Sequence, residues 1–183
     1  MSKYIEYKII KELGHGMIGT TYLIKIKNKH YALKIEKVIE DVIDKNKIDI
    51  IHNTKYPEWR EIEFSKKFGN KYPEQFMQLI NYDIIENCDH VQKYTPQSIE
   101  SMPESVRKII NEKIDSTYCI RKIYSLVDCD LSKIINNLNK KELYSFIIQT
   151  IHIIFLLNKN GYNHNDLHGQ NIGVIKTKKN ILI

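Results

Sequence analysis

The sequence predicts an α+β fold, and three observations predict it. Short alternating strand patterns fill residues 4–38 and recur at 77–85 and 117–124. A single helical pattern, 57–68, interrupts them. A long apolar helix then leads into a polar octet, His164-Asn165-Asp166-Leu167-His168-Gly169-Gln170-Asn171. The chain therefore divides into a strand-rich part, 1–124, with an insertion at about 86–116, and a mainly helical part, 125–183.

The elements follow in order. Residues 4–13 alternate as a strand and Gly14-His-Gly-Met-Ile-Gly19 turns the chain. Residues 20–27 make a second strand, Asn28-Lys29 a turn, and 30–38 a third. Glycines in a hairpin differ from those of a Rossmann fingerprint or P-loop, which open a helix. Residues 39–53 read as polar and irregular. Pro57 suits the first turn of a helix that Gly69-Asn70 should end near Phe68. Its Trp59, Ile62, Phe64 and Phe68 follow one face, and Glu61 and Glu63 point to different sides. The insertion carries one helix with a capping-box start, Ser101-x-x-Glu104. Residues 125–128 form a connector, Asp130 caps a small helix, and Asn139-x-x-Glu142 opens the long one. Residues 172–175 and 181–183 read as two short strands around a turn.

Composition narrows the function classes. The 183 residues are 42% apolar and 27% charged, ordinary for a globular protein. The net charge of +6 comes from 25 Lys and only 3 Arg, without aromatic interleaving, so the lysines read as a solvated surface and no nucleic-acid partner is expected. Cys88, Cys119 and Cys129 are odd in number and form no CxxC pair. That spacing predicts neither a disulfide nor a zinc site and favours a reducing compartment. The first residues lack a signal-peptide core, and the longest apolar run falls short of the roughly 20 residues that span a bilayer. The expectation is a soluble, intracellular (cytoplasmic) chain with no membrane partner.

The octet carries chemistry. An Asp and, five residues on, an Asn in a tight loop can be aimed at one point. In phosphoryl transfer such an Asp orients a hydroxyl and accepts its proton, and the Asn holds a metal on the phosphates.

Together these pieces resemble the eukaryotic protein-kinase family, serine/threonine type, over nearly the whole chain. Leu13-Gly14-His15-Gly16-Met17-Ile18-Gly19 is similar to the glycine-rich loop over ATP, and Tyr31-Ala32-Leu33-Lys34 to the third-strand V-A-I-K. Arg60-Glu61-Ile62 is similar to the regulatory helix, and Asp130-Leu-Ser-Lys133 to the helix start after the hinge. The resemblance implies an antiparallel-sheet N-lobe with its regulatory helix, then the first part of a helical C-lobe. It implies that residues 13–21, Thr20 and Thr21 included, lie over ATP with Ala32, and that Tyr124, Ser125 and Val127 form gatekeeper and hinge. Lys34 would take the α- and β-phosphates, Glu61 would hold Lys34, Asp166 would be the catalytic base, and Asn171 a ligand of Mg²⁺.

Departures from the family pattern open other readings. Asn165 replaces the usual Arg, which removes the anchor of a phosphorylated activation loop, and Thr21 replaces a valine. His168 replaces a Lys, as in loops of choline and aminoglycoside phosphotransferases. No Asp or Glu follows Asp166, and the chain stops about where Asp-Phe-Gly would begin, as in a truncated kinase. Three functions are therefore in play: a serine/threonine kinase, a nucleotide- or partner-binding module without turnover, and a small-molecule kinase fragment. An incompletely covered long helix implies a dimer or a partner chain.

Overall fold

The computed structural model describes residues 5–15, 19–88, 99–176 and 181–182. It is an α+β structure, with a five-stranded antiparallel sheet and three long helices among the described residues. The chain divides into two compact units, 1–70 with 78–125, and 71–77 with 126–183.

The first unit is built on the sheet. Its strands are β1 (Lys8–His15), β2 (Thr20–Ile26), β3 (Lys29–Lys37), β6 (Leu79–Ile85) and β7 (Cys119–Tyr124), in the order β1-β2-β3-β7-β6. β1 begins later than the alternation suggests and continues through Gly14, with irregular register between Glu12 and Gly14. The β2–β3 turn is Lys27-Asn28, one residue earlier than expected, because Ile26 pairs with Lys29 and Lys27 takes a left-handed φ of 53°. Gly16, Met17 and Ile18 of the glycine run lie outside the described residues, as do Tyr4 and 89–98.

Period-2 alternation gives the sheet two buried faces. One face joins Ile24, Leu33, Ile35, Cys119 and Ile123. The other joins Val38, Ile120, Tyr82 and Ile84 to Ile62 of α1 (Pro57–Lys71). Residues 39–53 are not irregular. They form a small hairpin, β4 (Ile43–Asp44) with β5 (Asp49–Ile50), whose Val42, Ile43 and Ile50 enter the same core. Helix α1 runs past Gly69-Asn70, because Gly69 is buried on the stripe Glu58, Ile62, Ser65, Gly69, one turn apart. Packing uses the glycine there, and its weak helix propensity is overridden.

Helix α2 (Glu104–Asp115) has Pro103 as its N-cap, with no side-chain cap, so it starts two residues beyond the Ser101 start that the sequence suggests. Its end is held by Lys37, whose Nζ donates to the carbonyls of Ile114 (2.9 Å) and Ser116 (2.8 Å). Cys88 and Cys119 are joined in a disulfide, against the expectation from spacing, and Cys129 is free. The register explains it. Ile85 pairs with Cys119, which brings the chain just beyond β6 back beside β7, with the two Cα atoms 5.7 Å apart.

The second unit is organised by α3 (Lys140–Lys159). Asn139 Oδ1 accepts from Lys141 N and Glu142 N, and Glu142 accepts from Asn139 N, the expected capping box. The helix ends in a Schellman motif: Gly161, φ 78°, donates to Asn158 O and Tyr162 N to Leu157 O. Strands β8 (Cys129–Asp130), β9 (Gly173–Lys176) and β10 (Ile181–Leu182) form a small antiparallel sheet. Asp130 is the N-cap of a 3₁₀ turn, Leu131–Lys133, that a second, Ile135–Asn137, follows; it makes no side-chain cap, and its carboxylate is taken by Ser132 and Lys133. Among the described residues no helix is long and apolar enough to cross a membrane.

Candidate functional site

Two sets of predicted residues can be located, one in each unit. In the first unit, the β2–β3–β7 register puts Thr21, Leu23, Ala32, Lys34, Lys122 and Tyr124 on one face. Gly14 stands opposite Thr21 on β1, and the space where its Cβ would project is open. Gly19 is required by a close approach, since a Cβ there would lie 2.8 Å from the Ile35 carbonyl oxygen. Leu13 is exposed, and exposed His15 Nδ1 lies 2.8 Å from Glu12 Oε1. Thr20 pairs with Ile35 at the start of β2.

On that face sits an ionic cluster. Lys34 Nζ is 2.9 Å from Glu36 and 3.5 Å from Glu61. Glu61, and not the exposed Glu63, is thus the α1 carboxylate beside Lys34. Lys122, with no exposed surface, donates to Glu36 and to Glu61 Oε2, the latter at 2.5 Å. The Tyr124 hydroxyl donates to Glu61 Oε1 at 3.0 Å.

Two lysines and two glutamates balance in charge, which is how a buried ammonium is tolerated. Burial pushes the Glu61 carboxyl up, but Lys122 and Lys34, with the donated hydrogen bonds, outweigh it and bring it from 4.5 to about 2. Burial likewise opposes the charge on Lys34, yet Glu36 and Glu61 hold its ammonium above the ordinary lysine range. The Tyr124 phenol is pushed well up, by burial first and then by the Glu61 charge.

Lys122 and Glu36 were missed by sequence reasoning. The signal was present: in Ile120-Arg-Lys122-Ile-Tyr124 the lysine falls on the inward phase of the alternation, and Glu36 is two residues from Lys34.

In the second unit the octet is a tight loop. Asn165 adopts φ 57°, a left-handed conformation that Asn tolerates, and Asp166 N donates to His164 O at 2.8 Å. Gly169-Gln-Asn171 is a 3₁₀ turn, and Gly169 packs on Ser132. Asn171 Nδ2 lies 2.9 Å from both Asp166 O and Asp166 Oδ2, and 3.0 Å from His168 Nε2. The predicted Asp–Asn pair is therefore brought together in an exposed loop.

Ser125 and Val127 fall on opposite sides of the boundary between the units. In the first, Ser125 Oγ accepts from Gln78 N and Ser125 N donates to Gln78 O. In the second, Val127 packs on Gly173 so closely that a Cβ there would lie 2.8 Å from Val127 Cγ1.

Donor chemistry can be compared with the implied ligands. An always-charged lysine beside a hairpin with open glycine backbone fits a nucleotide's phosphates. One carboxylate and one amide make a poor Mg²⁺ site, and among the described residues no group of three or more His, Cys, Asp or Glu could hold a metal. No protein-family model matches this chain, and no curated protein does.

Proposed function

We propose that the chain binds ATP in the manner of a serine/threonine protein kinase, with a protein hydroxyl as the phosphate acceptor. The observation that carries this reading is the Lys34–Glu61 ion pair, 3.5 Å across, on the same sheet face as Thr21 and Ala32. In this reading Leu13, Gly14, His15, Gly19, Thr20, Thr21 and Ala32 lie over the nucleotide, Ser125 lies at its adenine end, and Lys34 takes the α- and β-phosphates. ATP supplies the transferable γ-phosphoryl group. Asp166, with its carboxylate oriented by Asn171, accepts the proton of the attacking hydroxyl. The incomplete donor set for Mg²⁺ carries no step.

Calorimetric titration of the chain with ATP tests the reading. Lys34→Ala should weaken binding by about 1.5–3 kcal/mol, the range of a lost charge-assisted contact. A folded wild-type chain that binds no ATP would overturn it.

A second reading, a nucleotide- or partner-binding module without turnover, is favoured by one observation: beside Asp166 stand an amide, Asn171, and an imidazole, His168, and among the described residues no group of three or more His, Cys, Asp or Glu could hold a metal. Metal held by a lone carboxylate and an amide would neutralise the moving phosphoryl poorly. We therefore expect this chain to phosphorylate casein negligibly with Mg-ATP. Robust turnover that Asp166→Asn abolishes would decide for the enzyme.

A further inference from the structure

We propose that Lys122 is the residue that positions Glu61, and with it α1, so that Lys34 is free to serve an anionic ligand. The identity of that ligand, a nucleotide polyphosphate, rests on the reading above; the anchoring does not.

Both oxygens of Glu61 are held from β7. Lys122 reaches Oε2 at 2.5 Å and Tyr124 reaches Oε1 at 3.0 Å. β7, like β3, is an interior strand paired on both edges, so these two donors stand on well-constrained backbone. Lys34 makes the longer approach to Glu61, 3.5 Å, and keeps 29% of its side-chain surface exposed, whereas Lys122 keeps none.

Charge gives the reason for two lysines. If Lys34 alone faced Glu36 and Glu61, its departure to a phosphate would leave two carboxylates together without a counter-charge. With Lys122 bridging them, both stay paired when Lys34 moves. Packing alone does not account for Lys122, because an apolar side chain would fill the position without the desolvation of an ammonium.

Hydrogen–deuterium exchange of the α1 amides, read in the full chain beside ATP titration, tests this. Lys34→Ala should leave α1 exchange within about twofold of wild type while weakening ATP binding about tenfold or more. Lys122→Met should speed α1 exchange about tenfold or more, with β1 and β2 little changed. Lys122→Arg, which keeps a cation able to hold two carboxylates, should restore most of the protection.

The proposal is overturned if Lys34→Ala loosens α1 as much as Lys122→Met does, or if Lys122→Met leaves α1 at the wild-type rate. Should Lys122→Met not fold, Tyr124→Phe removes the other β7 donor and must speed α1 exchange more than Lys34→Ala; an equal or smaller effect overturns the proposal. A wild-type chain that binds no ATP removes the nucleotide reading, and the order of exchange rates still decides the anchoring.

Discussion

Glu61 shows at the scale of one residue how the cluster writes itself into stability. Its carboxyl titrates near 2 in the folded chain against an ordinary 4.5, facing Lys34, Lys122, Tyr124 and the neighbouring Glu36. A depressed folded value stabilises above the ordinary value, and that contribution is lost as pH falls from 4.5 towards 2. Because 38% of the side chain is open to water, the contribution is on the order of 1 kcal/mol, well below what the shift alone implies. Thermal melts should therefore show wild type losing its advantage over Glu61→Gln between pH 4.5 and 2. A difference constant across that window would refute the assignment. Lys34 and Glu61 were legible from motif spacing, whereas for Lys122 only the inward phase was legible, and its partners Glu36 and Glu61 were not, since they come from other elements.

At the scale of elements, the insertion helix α2 is tied to α1. Lys113 Nζ donates to Glu58 at 2.9 Å, and both side chains are largely buried. Lys113→Met leaves that carboxylate buried without its cation and should cost about 3 kcal/mol in denaturant unfolding. The double variant Glu58→Met/Lys113→Met should recover most of the loss, because well-packed apolar side chains can replace a buried ion pair. Additive losses in the cycle would show that the two do not interact. Sequence reading found α2 and treated it as a bystander. Its role depends on a partner 55 residues away, which no local pattern encodes. The capping box of α3, by contrast, is local chemistry within four residues, and it formed as read.

At the scale of the molecule, α3 leaves an apolar stripe exposed: Tyr144, Ile148, Ile151 and Phe155 recur at helical spacing, with Ile147 beside them. Such a stripe favours association. Sedimentation should show the chain self-associating with rising concentration, and Ile148→Glu or Ile151→Glu should shift it towards monomer. A monomer at all concentrations, unchanged by either substitution, would show that the stripe drives no association. The Cys88–Cys119 disulfide is a second feature of this scale, since it links residues separated by 31 positions.

The sequence by itself determined the α+β class, most strand and helix positions, the Lys34–Glu61 pair, and the loop that joins Asp166 to Asn171. Each follows from periodicity, capping chemistry or motif spacing, which act over a few residues or are carried by a motif. Only the tertiary structure decided the rest. Strand register set Lys122 beside Glu36 and joined Cys88 to Cys119. Packing on Ile62 turned residues 39–53 into part of the core, and buried Gly69 inside a helix it was expected to end. The physical reason is common to all of them. The free energy of a buried charge or a buried apolar side chain depends on what lies against it, and those neighbours come from distant parts of the chain.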